Sequence, residues 1–431
     1  MKKLYFTSLF FCISVWSFGQ IVNIPDSNFK SRLLNTNCAK LTSPAWLTDV
    51  DTNNDGEIQV SEAANVLELD VSTNEFNSSN DILSMEGIAS FNNITKLACN
   101  GNNFTTLDVS MLPSLVDLNC DKSHVNSLNV AGLTNLEILK CSFNSLTAIN
   151  LSGLTGLRTL FCVVNSIATL EVSDSLLLTN FQCDQNQISS LTLGAKPALI
   201  TLRCNNNPIT TINPQLFPNI ESLNYSDTFI TSIDLQGLNS LTTLELNSTL
   251  LSQIDCSQTP LLNQLYCSNN TNLTSINVRN GFLSSGDPDL LYFPFRFDDL
   301  PNIASICMDE GEQNNLINTL YNSNENVQVF GGPNCDIPLE ISTNSTSDFD
   351  LKNVVVLSPN PTEHILNIDA TSGVIIQSIA IYNPLGQLVK TLAESELNSS
   401  LSIDVSALKT GTYFMEISSN NGKTTKKFVK I

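Results

Sequence analysis

The segment DTNNDGEIQVSE, residues 51–62, carries oxygen-bearing side chains at regular intervals. Acidic or amide side chains stand at its first, third and fifth places, glycine at the sixth and glutamate at the twelfth. This order is typical of a calcium-binding loop, because calcium takes six to eight oxygen ligands from a flexible cage. The sequence therefore predicts a calcium site formed by Asp51, Asn53, Asp55, the carbonyl of Glu57 and both carboxylate oxygens of Glu62.

The residues between these ligands suit the same chemistry. Gly56 permits a sharp turn, Ile58 is the apolar residue at the eighth place, and Gln59 faces the ninth place, where a water often intervenes. The loop resembles a single EF-hand or dockerin-type loop, and the flanking stretches NFKSRLL and SEAANVL are predicted to be short helices. The alternative is a polar turn followed by a helix cap. We expect a structural ion in an N-terminal cap, residues 20–65, while a calcium switch stays open.

Few residues suit nucleophilic or acid–base chemistry. The chain has two histidines, His124 in a repeat turn and His364 near the C-terminus, which argues against zinc sites and histidine-based triads. It has no glycine-rich phosphate loop and no G-x-S-x-G sequence. The 41 acidic residues leave a carboxylate pair open. We expect a protein that is not an enzyme.

The first residues predict export. Residues 1–19 have the features of a signal peptide, with Lys2 and Lys3 before an apolar stretch too short to span a membrane, and small residues before the predicted cleavage after Gly19. The sequence contains no other long apolar run, so we expect no transmembrane segment. The net charge of -21 argues against binding to nucleic acid or anionic membranes, which needs clustered lysine and arginine.

A cysteine returns every 21 residues through the middle of the chain. Leu or Phe stands two residues before it, Leu or Ile five residues before it, and in most copies Asn three residues after it. Tyr225 and Leu246 hold the cysteine place in two copies, and an extra residue after the last cysteine loosens the register. We call this column the cysteine ladder: Cys99, Cys120, Cys141, Cys162, Cys183, Cys204 and Cys267. A period of 21 predicts a solenoid.

Each column has a physical role. In L-x-C the period of two directs both side chains inward from one short strand. Cysteine there acts as a small buried hydrophobe stacked on its copies, and the asparagine can satisfy turn backbone groups that stacking buries. One unit cannot bury its apolar face alone, whereas a stack of units can.

Two interpretations of the cysteines follow from export. Disulfides are common outside the cell, but side chains stacked in register run parallel, whereas a disulfide needs converging Cβ atoms. We expect buried free thiols along the ladder and at Cys256. Cys307 and Cys335 lie off the ladder, and the sequence is equally compatible with a disulfide between them and with two free thiols.

The repeats resemble the leucine-rich repeat family, specifically the short cysteine-containing repeats of secreted bacterial proteins similar to internalins. The resemblance covers residues 66–280 and implies an α/β solenoid, a horseshoe with a parallel β concave face behind a helical N-terminal cap. Residues 281–335 leave the repeat and are expected to form a C-terminal cap. An aromatic cluster in this cap is interpreted as its apolar lid, with a sugar-stacking platform as the alternative; it comprises Tyr292, Phe293, Phe295 and Phe297.

The residue before each ladder place is predicted to face outward on the concave sheet, because side chains alternate along a strand. The central members of this outward column form a candidate ligand-binding set, with Arg158 nearby: Lys140, Phe161, Gln182 and Arg203. A cationic and aromatic set on an acidic protein suits a glycan or an acidic peptide. Ordinary surface variation is the alternative, since single exposed aromatic residues are common.

The end of the chain changes character. Residues 336–352 have the polar composition of a linker, and residues 353–431 predict a small all-β sandwich. This tail resembles the C-terminal sorting domain of substrates of the bacterial type IX secretion system, through the motifs PNP, NPLG, GTYF and the terminal KKFVKI. The resemblance implies passage across the outer membrane, removal of the tail, release or surface attachment, and a Bacteroidota-type source.

We expect a secreted or cell-surface recognition or adhesion protein whose partner is a protein or a glycan, beside the type IX secretion machinery. The main alternative is a carbohydrate-binding or polysaccharide-processing accessory protein, and a structural coat protein is a third. The identity of the partner, release as opposed to anchoring, and the oligomeric state stay open.

Overall fold

A computed structural model describes the chain in two compact units, residues 1–339 and 340–431. The predicted signal peptide up to residue 18, Tyr292, Phe293 and most of the predicted linker lie outside the described residues. Across the described part of the chain, no helix is long and apolar enough to cross a membrane. The described residues are 19–42, 47–73, 79–281, 295–310, 320, 323, 326–331, 334–338, 355–370, 376–384, 386–397, 400–419 and 422–431.

The N-terminal cap mixes helix and strand. Its main helix, Ser27–Asn35, begins where Asp26 accepts hydrogen bonds from two backbone N–H groups of the first turn, and it buries Phe29 and Leu33. The second helix, Val60–Ala63, has only four residues, because the chain enters a strand at Val66. Two antiparallel strands that the sequence did not predict extend the sheet here, Ala39–Leu41 and Leu47–Thr48.

Thirteen strands form one sheet, which we call the long sheet. Its strands pair in parallel from Val66–Asp70 to Phe295–Arg296. The strands between these two are Lys96–Ala98, Asp117–Asn119, Ile138–Lys140, Thr159–Phe161, Asn180–Gln182, Thr201–Arg203, Ser222–Asn224, Thr243–Glu245 and Gln264–Tyr266. The repeats from Lys96–Ala98 to Gln264–Tyr266 pair at a step of 21 residues. The predicted parallel β-solenoid is confirmed.

Shorter sheets form from the second halves of several repeats. Two of them have two strands each, Thr106–Asp108 with Ser127–Asn129 and Thr169–Glu171 with Ser190–Thr192. A third has five strands: Gln253–Asp255, Ser275–Asn277, Ser305–Cys307, Gln328–Gly331 and Ile337–Pro338. Two single turns of 3-10 helix complete the solenoid, Ile88–Ser90 and Pro214–Leu216.

The cysteine ladder is a column of buried free thiols, as the sequence predicts, and Cys256 is buried and free as well. Each ladder thiol is fully buried, and burial raises the pKa of the Cys141 thiol well above its ordinary value. A thiol held protonated in this way is a poor nucleophile and a poor metal ligand. The ladder is therefore a packing device.

The ladder asparagines join neighbouring turns. The Asn186 side chain donates hydrogen bonds from Nδ2 to the carbonyls of Cys162 and Cys183, and its Oδ1 accepts one from the backbone N–H of Ile167. Its counterparts repeat this bridge along the solenoid: Asn144, Asn165, Asn207 and Asn270. This satisfies backbone groups that stacking removes from water.

Parallel pairing continues beyond the predicted end of the repeats at residue 280. Phe295 and Phe297 are buried, and their rings stack with centroids 5.6 Å apart. Phe297 takes the ladder place after Cys267, whose backbone N–H donates to the carbonyl of Arg296. These two phenylalanines are core residues, so a sugar-stacking role for them is wrong. The structure joins Cys307 and Cys335 in a disulfide.

The second residue after each ladder place is left-handed. Its φ angle lies between 53° and 79° throughout, a feature of the repeat that the sequence analysis missed. This left-handed column comprises Gly101, Lys122, Phe143, Val164, Gln185, Asn206, Asp227, Ser248, Asn269 and Asp299. Glycine, asparagine and aspartate suit this conformation, while branched and bulky side chains are strained in it.

The C-terminal unit is built from two small antiparallel sheets. Three strands form the first, Val355–Ser358, Ile365–Ala370 and Ser400–Asp404, and four form the second, Leu388–Leu397, Ile376–Tyr382, Gly411–Ser419 and Gly422–Lys430. Apolar side chains from both sheets share one core, including Leu366, Ile381 and Phe428. The all-β character of the tail is confirmed.

Candidate binding face and calcium loop

The predicted calcium loop is folded tightly around its own side chains. Asp51 accepts hydrogen bonds from the backbone N–H groups of Asp55 and Gly56, at 3.2 and 2.9 Å. Asn53 accepts one from Asp55 at 2.9 Å. Gly56 has a φ of 81°, as the sharp turn requires. The loop is thus pre-shaped around Asp51, Asn53 and Asp55.

Glu62 closes the other end of the loop. One carboxylate oxygen accepts from the backbone N–H of Thr52 at 2.8 Å, and the other from that of Gln59 at 3.0 Å. This second contact is half of a capping box that starts the helix Val60–Ala63. Glu57 turns its carboxylate away to pair with Lys30 at 2.6 Å, so that the loop is tied to the helix Ser27–Asn35.

The Gln59 amide stabilises the ionised form of the remaining acid, Asp55. Gln59 donates from Nε2 to both carboxylate oxygens of Asp55, and these bonds are the main reason that the pKa of Asp55 is lowered. The donor set has the all-oxygen chemistry that calcium prefers. Yet among the residues described, no group of three or more His, Cys, Asp or Glu side chains is placed to hold a metal ion. Calcium binding stays a prediction.

The outward column of the long sheet lies in register. Lys140 stands opposite Phe161, Phe161 opposite Gln182, and Gln182 opposite Arg203 on neighbouring parallel strands. All four side chains are partly exposed. Strands ~4.8 Å apart give this set a length of roughly 14 Å. Arg158, which precedes the strand Thr159–Phe161, is exposed beside it.

The charge of this set differs from the expectation. Arg203 pairs with Asp184 at 3.3 Å, and Arg158 pairs with Glu137 at 3.4 Å. Lys140 lies near Asp121. An acid therefore lies beside each of these cations, and the face is not a uniformly cationic stripe. A single column of the sequence does not show these acids, because they lie outside it.

Three acids on this face are partly desolvated. Burial raises the pKa of Asp121, Asp184 and Glu245 above their ordinary values. Arg203 opposes that effect at Asp184 and at Glu245. These carboxylates lie where a ligand would cover the sheet.

A shallow cleft of about 710 Å³ opens at the C-terminal end of the long sheet. Its lining is polar and includes Glu245, Tyr266, Arg296 and Asp298. Tyr266 and Arg296 stand opposite each other on neighbouring strands, so they continue the outward column. Tyr266 precedes the ladder place Cys267 and so belongs to the predicted outward column, which Arg296 extends beyond the prediction.

The motifs of the tail meet in the structure. Asn360, from the PNP motif, donates to the carbonyl of Lys427 and accepts from the backbone N–H of Val429, both in the terminal KKFVKI. The ring of Tyr413, from GTYF, stacks on Phe428 at 5.5 Å. Two of these motifs are thus anchored to the last strand.

The tail matches a known family. Residues 357–431 match the secretion system C-terminal sorting domain. The predicted sorting tail is thereby confirmed. It indicates export to the cell surface or beyond and implies an interaction with the secretion machinery. No curated protein matches the chain by sequence.

Solved structures similar to the chain include leucine-rich repeat proteins. One is the functional domain of InlJ from Listeria monocytogenes, which includes a cysteine ladder; it is 18% identical, the match covers 95% of this chain and 98% of that chain, and the TM-score is 0.33. Another is YopM, a leucine-rich effector protein from Yersinia pestis, 20% identical, with 56% of this chain and 70% of that chain covered and a TM-score of 0.40.

Proposed function

We propose that this is a non-enzymatic recognition or adhesion protein, which binds its partner on the outward column of the long sheet. One observation carries the proposal. From Lys140 to Tyr266, every strand except the one that ends in the buried Asn224 presents one partly exposed side chain at the same place, while the inward places repeat almost without change. A rigid row of varied side chains on a fixed scaffold suits recognition.

Alanine substitutions in the outward column test this proposal. Purified full-length protein and its Phe161→Ala and Arg203→Ala variants would be applied to arrays of surface proteins, peptides and glycans. We expect the wild-type protein to bind one class of ligand. At least one variant should bind that class more weakly while it keeps the melting temperature of the wild type. Ligands bound equally by all three proteins would contradict the proposal, and turnover of a polysaccharide would favour an enzyme.

We further propose that the loop at residues 51–62 binds a structural calcium ion. Asp51, Asn53, Asp55, the carbonyl of Glu57 and Glu62 would hold it, and the ion would neutralise carboxylates that now rely on amide and backbone N–H groups. Side-chain amides present either N–H or oxygen after a flip, so Asn53 can offer its oxygen. Gly56 and the buried position of Ile58 support a loop of this kind.

Calcium should stabilise the cap by mass action, by about 2.7 kcal/mol at a hundredfold excess over the dissociation constant. The measurement is the melting temperature of the full chain with millimolar calcium and with chelator. Asp55→Ala and Glu62→Ala should each abolish the difference. Glu57→Ala is the matched control, because only its backbone carbonyl is a ligand, and it should keep the response. A wild-type protein indifferent to calcium would refute the site.

A further inference from the structure

Two consecutive turns break the polarity of the repeat. The place directly after the ladder is polar in the other repeats and valine at Val163, and the left-handed place is polar or glycine except at Phe143 and Val164. Phe161 adds an aromatic ring in the outward column. We call these four residues the apolar patch. Phe143 is 50% exposed, and the other three are partly exposed.

Backbone pairing brings the four residues together. The N–H of Phe143 donates to the carbonyl of Val163 at 2.8 Å, and that of Cys141 to the carbonyl of Phe161 at 2.8 Å. The patch therefore spans two adjacent turns rather than scattered positions. Grouped exposed apolar side chains mark interaction sites, whereas single ones do not.

The patch also carries backbone strain. Phe143 and Val164 have φ angles of 56° and 53°, a conformation that disfavours bulky and branched side chains. Neighbouring repeats hold Gln185 and Asn206 at this place, so the scaffold does not require apolar residues here. Strain of this kind concentrates at functional sites.

Two lysines border the patch. The ammonium group of Lys122 lies 5.3 Å from the centroid of the Phe143 ring, and Lys140 stands opposite Phe161 in register. Both lie near Asp121 and favour its ionised form. Two cations beside one acid leave this corner positive on a chain of net charge -21.

We propose that the apolar patch is the anchor site for a polypeptide partner with an apolar side chain flanked by acidic residues. This proposal rests on the proposed recognition function and names its partner class. Aromatic residues, phenylalanine among them, are enriched in the buried core of protein interfaces. Complementary charge would orient the acidic segment. A glycan is disfavoured, because its hydroxyl groups need hydrogen-bond partners and valine side chains offer none.

Selection of a display library of random linear peptides against the purified full chain tests the patch. We expect enrichment of peptides that combine Leu or an aromatic residue with Asp or Glu. Phe161→Ser and Lys140→Glu should each raise their dissociation constants by about tenfold or more. Phe229→Ser is the matched control, because Phe229 is 54% exposed and lies outside the patch; its binding should equal wild type.

The Phe143→Asn variant separates a loss of binding from a loss of folding, because asparagine suits the left-handed place. It should melt no lower than wild type and still lose the peptides. Peptides that survive Phe161→Ser but are lost in Arg203→Ala would overturn the patch and leave the proposed function intact. Peptides that still bind both Phe161→Ser and Arg203→Ala would overturn the patch and the proposed function together. Three results would overturn the proposal of an acidic, apolar polypeptide partner. They are enrichment of basic peptides, no enrichment at all, and a Phe161→Ser variant that loses only glycan binding.

Discussion

The buried and the exposed columns of the same repeat follow different rules. The inward places hold leucine, cysteine and asparagine in turn after turn, and the hydrogen bonds of Asn186 repeat at its counterparts. The outward places change from Lys140 to Phe161 to Gln182. This difference shows that stacking constrains the residue type only at places that a neighbouring turn covers. Outward places are free to serve recognition.

The largest loss of stability is expected when the hydrogen bonds of a ladder asparagine between turns are removed. Asn186→Ala should lower the free energy of unfolding by about 2–4 kcal/mol, because it leaves several buried backbone groups unpaired. Asn150→Ala is the control, since Asn150 is exposed and makes a local bond to the N–H of Ser152; it should stay within about 0.5 kcal/mol. Denaturant unfolding measures both, and equal losses would erase the distinction between the columns.

A ladder thiol should be the next most sensitive position. Cys141→Ser buries a poorly paired hydroxyl and should cost about 1–3 kcal/mol, whereas Cys141→Ala should cost less. Alkylation with mass mapping adds a check on the native protein. Cys120, Cys141, Cys162 and Cys183 should be labelled only after unfolding. A serine variant as stable as wild type would show that the ladder is not a packing device.

In the opposite direction, a change at the left-handed place should stabilise the fold. Val164→Asn relieves a branched side chain at a φ of 53° and should raise the free energy of unfolding by about 1 kcal/mol. Val163→Asn, at the neighbouring place with an ordinary φ, should give no such gain. A loss of stability at Val164 would mean that the valine is needed for packing, and thermal unfolding distinguishes these outcomes.

The smallest effect concerns pH. Burial raises the pKa of Asp121, so the folded state binds its proton more tightly, and the carboxyl's contribution to stability falls as pH rises above the unfolded value of about 3.9. Asp121→Asn should therefore melt higher than wild type at neutral pH and converge with it below that value. Asn247 already fills this column and accepts from Ser268. A gain that persists in acid would contradict this origin.

Sequence periodicity predicted the solenoid, its register and the buried thiols, because each depends on a column that repeats. It predicted the all-β tail for a similar reason, since strands alternate in polarity. It missed the strands Ala39–Leu41 and Leu47–Thr48, which lie outside the repeat. Periodicity also did not predict the left-handed place. A recurring glycine would have indicated a positive φ there, but several repeats hold Lys122, Phe143 or Val164 instead. Compensation of Arg203 by Asp184 depends on contact between turns, which one column cannot reveal.

The central claim is that inward columns build the fold and outward columns recognise a partner. Its most direct test measures unfolding free energy and affinity for the selected peptides on the same variants, Phe161→Ala outward and Asn186→Ala inward. The account predicts that Phe161→Ala stays within about 0.5 kcal/mol of wild type in stability and loses binding, while Asn186→Ala loses stability and binds normally as long as it is folded. Phe161→Ala that is as unstable as Asn186→Ala, or that binds as wild type does, would contradict it.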